Sequence, residues 1–176
     1  SFVGIIKSKK IGDPKDHSNE LRGVARNDLA ETLQAQVDKT VSMGARKLLS
    51  GGVDKDNPSI YHPEIIEHID SKSPLSCEET FGPVAALFPF EDEQEMLSRV
   101  NASRYGLGAS VWSTDTDHAI AIADQVNAGS VAVNQMMSSD PRLPFGGIKK
   151  SGFGREMSME GFLEFLNLKT IIVSNE

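Results

Sequence analysis

The sequence predicts an α/β fold: a parallel sheet with flanking helices. Three observations carry that reading. Between residues 83 and 134, short apolar runs alternate with helical patterns in the order strand, helix, strand, helix, strand. The connections are short, and strands joined through helices pair in parallel with the helices packed on the sheet. The composition is that of an ordinary globular chain. Of 176 residues, 39% are apolar and 24% charged, which excludes disordered, collagen-like and disulfide-stapled classes.

The elements follow in order. "SFVGIIKSKK" (1–10) reads as the last turns of a helix whose start is missing, so a fragment is expected. Residues 13–26 are polar and read as a loop. A helix begins at Asn27, with Asn27 or Asp28 expected to cap its free N–H groups. Leu29, Leu33, Val37 and Val41 form its apolar stripe, and Gly44 ends it. "RKLLSGG" is a short strand running into a turn. "IYHPEIIEHI" is extended, and Pro63 places it near a sheet edge. "PVAALFPF" (83–90) is a buried strand. Residues 91–102 form a helix with acids in its first turn, where the helix dipole favours them. "GLGASVWS" (106–113) is a strand. Residues 113–129 form a helix capped by Thr114 or Thr116 and ended by Gly129. "SVAVN" (130–134) is the next strand, and ligands of such sheets gather beyond the carboxyl ends of strands, where Asn134 sits. Residues 135–156 are a long Gly-, Ser- and Pro-rich loop, a kind that is usually functional. "MSMEGFLEFLNL" is a short helix, and "KTIIVSN" closes the chain as a β-branched strand.

Several function classes are disfavoured. The net charge of −7 argues against binding to nucleic acid or to anionic membranes. No apolar run approaches a membrane span. One cysteine makes no internal disulfide, and four histidines with it show no zinc spacing. A cytoplasmic protein without metal is expected.

The chemistry-bearing motifs are few. "GGIKKSGFG" fails the Walker pattern, because Phe153 stands where the lysine is needed. It also fails the dinucleotide pattern, because Met157 stands where the third glycine is needed. Its glycines serve tight turns, or the loop lines a site. Cys77 is followed by Glu78 and Glu79. Adjacent carboxylates disfavour a thiolate, and neighbours on an extended segment point to opposite faces, so Cys77 reads as a bystander. Glu79 and Phe81 fall on one face of an extended segment. They could clamp a sugar and a ring, since carboxylates accept from vicinal hydroxyls. The plain alternative is a solvated carboxylate and a core phenylalanine. His17, His62, His68 and His118 read as surface residues, and no Gly-x-Ser-x-Gly elbow is present.

At "EETFGPV", at "SVAVN" and at "PFGGIKKSGFGRE", in that order and spacing, the chain resembles the aldehyde dehydrogenase superfamily. The likeness runs through "NLKTIIV" and corresponds to the C-terminal part of a family member. It implies the parallel-sheet catalytic domain of that fold over 1–156, incomplete at its start, and a C-terminal helix and oligomerisation strand over 157–176. It implies an NAD(P)-dependent oxidation of an aldehyde to a carboxylate through a cysteine thiohemiacetal and thioester. The dinucleotide-binding domain, the general-base glutamate and the nucleophilic cysteine are implied to lie upstream of Ser1. This chain then holds no catalytic residue and is inactive alone.

The resemblance makes Glu79 the holder of the nicotinamide ribose hydroxyls, for NAD or NADP, and Phe81 the ring beside the nicotinamide. Asn134 matches a family asparagine near the active site. Phe145 matches a position lining the substrate tunnel, and Ser139 one that varies with aldehyde preference. "SSDPRLPFGGIKKSGFGRE" is most similar to members acting on succinate semialdehyde, whose carboxylate would suit Ser139 and Arg142. Residues 169–173 resemble a strand that adds to a partner's sheet, implying a homo-oligomer. Two other readings are a non-catalytic binding or oligomerisation module on this fold, and a thiol enzyme using Cys77.

Overall fold

A computed structural model describes residues 1–174. The chain forms two compact units, Ser1–Pro89 and Phe90–Glu176.

The first unit opens with α1 (Phe2–Lys7), where the Ser1 hydroxyl accepts from the Gly4 N–H. A polar loop leads to α2 (Asn27–Ser42). Its N-cap is Arg26, in extended backbone, rather than Asn27 or Asp28. The Asp28 carboxylate instead takes a two-pronged hydrogen bond from the Arg26 guanidinium, at 2.9 and 2.8 Å. Gly44, with φ +106°, follows the helix end as expected. The buried face of α2 comprises Ala30, Leu33, Val37 and Thr40. It packs against a three-stranded sheet of β1 (Arg46–Leu49), β4 (Glu64–Glu67) and β5 (Val84–Ala86), in the order β1-β4-β5. β1 pairs antiparallel with β4, and β4 pairs parallel with β5.

The strand after Pro63 therefore lies at the centre of this sheet, not at its edge. Pro63 just precedes the strand, so its missing N–H removes nothing from the ladder. Two short strands, β2 (Gly52–Val53) and β3 (Tyr61–His62), make a separate antiparallel ribbon. α3 (Pro74–Cys77) is a four-residue helix too short to leave a periodic pattern, with Pro74 at its first turn.

The polar centre of this unit is Glu64, whose side chain is fully buried. It accepts from Lys47 Nζ at 2.6 Å, from the Gly51 N–H at 3.2 Å and from the Tyr61 hydroxyl at 2.6 Å. A buried carboxylate is tolerable only when its lone pairs are filled in this way. Burial, and then the bond to Glu64, push the Tyr61 hydroxyl well above the usual tyrosine range.

The second unit holds α4 (Glu93–Asn101), β6 (Gly108–Val111), α5 (Thr116–Gln125), β7 (Ser130–Val133) and α6 (Ser158–Leu163). Strands β6 and β7 pair in parallel with unbroken register from Gly108–Ser130 to Val111–Val133. The expected strand–helix–strand order is present, although β5 belongs to the three-stranded sheet and β6 to this pair. Asp92 caps α4 by accepting from the Glu95 N–H, and Asp115, rather than Thr114 or Thr116, caps α5 by accepting from the His118 N–H. α5 ends at Gln125, four residues before Gly129.

No strand forms over residues 169–174. A strand is defined by its ladder, and these residues meet no partner strand within the described chain. Asn175, the last residue of the expected strand, lies outside the described residues.

Candidate functional site

Glu79 and Phe81 lie between α3 and β5, on a segment with little secondary structure of its own. Helix α2 fastens that segment. Thr40 Oγ1 accepts from the Leu75 N–H at 3.3 Å while donating to the Gln36 carbonyl at 2.8 Å. One turn earlier, Gln36 Nε2 donates to Glu78 Oε2 at 2.9 Å and to the Glu79 carbonyl at 3.2 Å. One turn earlier again, Leu33 presses on Gly82, where an added Cβ would sit 2.3 Å from Leu33 Cδ2. The residues of one helical face, 33, 36 and 40, thus hold successive points of the segment from 82 back to 75.

The result is a pinned backbone with two free side chains. Glu79 is exposed, and its carboxylate makes no hydrogen bond or ion pair among the described residues. Phe81 is 63% exposed, so it is not a core phenylalanine. A carboxylate with open lone pairs and, two residues on, an exposed ring are the chemical groups that a ribose and its attached ring would call for.

In the second unit, Asn134 follows β7 with φ +53°, a conformation asparagine tolerates better than most residues. Its N–H donates to the Val111 carbonyl, and its Oδ1 accepts from the Ser113 N–H at 2.9 Å, which ties the ends of β6 and β7 together. The loop that follows borders a half-open cavity of about 130 Å³ lined by Ser130, Met136, Met137, Ser139, Leu143 and Phe145, among others. Ser139 and Phe145 therefore share one cavity, and neither Asn134 nor Arg142 lines it. Arg142 lies on the surface in an Asx-type turn: its N–H and Nε donate to Asp140 Oδ1, both at 2.9 Å, and its Nη2 donates to Oδ2 at 2.6 Å. These bonds hold the Asp140 carboxyl below its usual range. Nη1 of Arg142 makes no hydrogen bond among the described residues.

The glycine-rich loop is built for close packing. Phe145 and Glu156 exchange backbone hydrogen bonds at 2.9 and 2.8 Å and close the loop between them. The Ile148 and Lys150 N–H groups donate to the Gly106 and Arg104 carbonyls. Lys149 Nζ donates to the Asn101 and Ser103 carbonyls, both at 3.0 Å, so it is occupied by backbone rather than poised over a phosphate. Gly129 meets the loop so closely that a Cβ there would lie 1.8 Å from the Gly146 carbonyl oxygen.

Cys77 ends the short helix α3 instead of lying on an extended segment. It is exposed, and its thiol donates to the Ser71 carbonyl at 3.1 Å. That bond is the one interaction its thiol makes among the described residues, and it is not with a cation or an imidazole of the kind that supports a thiolate. Three of the four surface histidines have carboxylate partners that the sequence did not suggest: His62 with Asp54, His68 with Glu67 and His118 with Glu93. No cluster of metal-binding side chains occurs among the described residues, and no described helix is long and apolar enough to cross a membrane.

The aldehyde dehydrogenase family pattern matches residues 1–171. The chain belongs to the aldehyde dehydrogenase family. It is 40% identical over 170 residues to succinate semialdehyde dehydrogenase [NAD(P)+] of Escherichia coli K12, covering 97% of this chain and 37% of that protein. Among solved structures it is similar to succinic semialdehyde dehydrogenase from Streptococcus pyogenes in complex with NADP+. There the TM-score is 0.90 and the identity 34%, over 98% of this chain and 38% of that one. Betaine aldehyde dehydrogenase from Staphylococcus aureus in complex with NAD+ matches with a TM-score of 0.86 and 31% identity, over 93% of this chain and 33% of that one. The chain thus spans about a third of the length of these relatives.

Proposed function

We propose that the chain is part of an NAD(P)-dependent aldehyde dehydrogenase that oxidises succinate semialdehyde to the dicarboxylate. The observation that carries this is the Glu79–Phe81 segment: an unpaired, exposed carboxylate and a bare ring on a backbone pinned by α2. Glu79 accepts hydrogen bonds from the ribose hydroxyls of the cofactor, and Phe81 packs beside the nicotinamide ring. The cofactor, when bound, supplies the acceptor for the substrate's hydride. On the substrate side, Ser139 and Phe145 line the aldehyde's cavity and Asn134 stands near the reacting end. Arg142 lies outside that cavity, and its remaining Nη1 meets a distal carboxylate only where the substrate extends to the surface. The choice of succinate semialdehyde rests on the relatives of that name.

Cys77 takes no part, since a thiol bonded to a carbonyl and followed by two glutamates is poorly activated. The nucleophile is a cysteine outside this chain, and the chain alone does not turn aldehyde over. Residues 1–156 belong to the catalytic domain, and 157–176 carry the helix and the terminal segment, a strand only once paired with a partner, through which the protein forms a homo-oligomer in the cytoplasm.

The test is nicotinamide reduction with succinate semialdehyde and a panel of other aldehydes. It is run on this chain and on the full-length protein that contains it. Turnover by the full-length protein alone, greatest with succinate semialdehyde, is expected. Turnover by this chain that is lost on alkylating Cys77 would overturn the assignment.

A further inference from the structure

Neighbouring carboxylates at Glu78 and Glu79 pose a selection problem. They are alike in chemistry and adjacent in sequence, yet only Glu79 is assigned to bind. The contacts of α2 resolve it. Gln36 Nε2 carries two hydrogens, and its two acceptors are Glu78 Oε2 at 2.9 Å and the Glu79 backbone carbonyl at 3.2 Å. One side chain therefore occupies the first carboxylate and fixes the main chain of the second. The Glu79 side chain is left without a partner among the described residues.

We infer that Gln36 is a positioning residue for the nicotinamide cofactor, acting through Glu79; the inference rests on the assignment of Glu79 to the cofactor ribose. Gln36 touches no reacting atom. It sits between Leu33, whose Cδ2 lies where a Cβ on Gly82 would fall, and Thr40, which accepts from the Leu75 N–H. Contacts at 75, at 78–79 and at 82 leave the segment little freedom to rotate Glu79 away. Of the three, only Gln36 makes a hydrogen bond to Glu79 itself among the described residues. A carboxylate that must meet two vicinal hydroxyls gains from such support, because an angstrom of misplacement weakens both bonds.

The experiment is steady-state kinetics on the full-length protein, with cofactor and aldehyde varied separately. Gln36→Met keeps the length of the side chain and removes the donor. It is expected to raise the KM for the nicotinamide cofactor by about 3- to 10-fold, the size of one or two net hydrogen bonds. The aldehyde KM and kcat stay near their starting values. Gln36→Glu has the same shape but presents an acceptor to Glu78. It is expected to raise the cofactor KM at least as far, and it serves if the methionine variant does not fold. Gln36→Lys retains a donor and is expected to restore the cofactor KM. Gln34→Met is the control on the same helix: the Gln34 amide bonds Asp38 and the Val53 N–H instead, so its loss tests helix stability without touching Glu79. Its cofactor KM is expected to be unchanged.

Glu79→Gln separates the two levels. If it leaves the cofactor KM unchanged, the assignment of Glu79 is wrong and the inference falls with it. If Glu79→Gln raises the KM while both Gln36→Met and Gln36→Glu leave it unchanged, the assignment stands and the positioning role is overturned. An equal rise for Gln34→Met would also overturn it, because the effect would then belong to the helix as a whole.

Discussion

The two units hold their candidate residues in different ways. In the first, Leu33, Val37, Tyr61, Ile65 and Ile66 are all but fully buried, and the segment bearing Glu79 is fastened to the helix that covers them. In the second, the fully or nearly buried apolar side chains are Leu97, Ala119 and Ile122, while Phe153, Phe165, Leu168 and Ile172 stand almost wholly in solvent. The cavity bearing Ser139 and Phe145 is lined by β7 and by the loop that follows it, which is closed by the Phe145–Glu156 backbone hydrogen bonds. On the proposed assignment, precision at the cofactor comes from a packed core and at the substrate from loop geometry, and the bare apolar surface of the second unit is the candidate interaction face.

The hardest test of that contrast is Glu64→Ala. It strips acceptors from Lys47, the Gly51 N–H and the Tyr61 hydroxyl at once. A loss of about 3–5 kcal/mol of stability is expected, because one partner of a buried pair is left uncompensated. Denaturant unfolding checks it, and a loss below 1 kcal/mol, by the same yardstick roughly a surface effect, would mean that the polar centre does not organise the first unit.

In the second unit the matching test is Gly129→Ala. The new methyl would collide with the Gly146 carbonyl oxygen, a backbone atom that cannot swing aside. A cost of about 1–3 kcal/mol is expected, as for other overpacked sites. The loop over 145–156 should move, and the aldehyde KM should change more than the cofactor KM. Equal changes in both would break the proposed division of labour between the units.

Tyr61 provides a milder test through pH. Its hydroxyl donates to Glu64, and its folded pKa lies above that of an unfolded tyrosine. The stabilisation is therefore complete below the unfolded value of about 10 and is lost as pH rises through the folded value. Between those limits the slope approaches about 1.4 kcal/mol per pH unit. Comparing the wild type with Tyr61→Phe isolates this term from other groups. Parallel stability curves for the two above pH 10 would contradict the assigned bond.

Much of this architecture was legible because it is local. The stripe along 27–42, the β-branched run at 130–133 and the glycine at 44 each announce their element within one window. What failed was decided elsewhere in the chain. Pro63 suggested an edge, yet β4 became central because β1 and β5, from either side in sequence, both pair with it. Thr114, Asp115 and Thr116 are all capping types, and only backbone geometry selects Asp115. Glu79 and Phe81 stood out as a pair, but Gln36 did not, since the bonds that matter join residues 42 and 43 positions apart. The pairing of Arg142 with Asp140 spans only two residues, yet Arg142 suggested a partner for a substrate carboxylate and its turn with Asp140 was passed over.

The smallest effect on stability, and the sharpest on association, is expected at Ile172. In a strand covered on one face, alternate side chains are buried. Here Ile171, Ile172 and Val173 are 75%, 90% and 75% exposed, so neither face is covered and no ladder is formed within the described chain. In the proposed homo-oligomer a partner's sheet edge would supply this segment with both hydrogen bonds and apolar contacts. Ile172→Lys should shift stability by no more than about 0.5 kcal/mol, because the side chain touches little in the single chain. It should nevertheless lower the oligomer measured by light scattering. Were the oligomer to persist, the association would have to run through the bare face around Phe162 and Phe165, and the contrast between the units would lie in α6 rather than in the terminal segment.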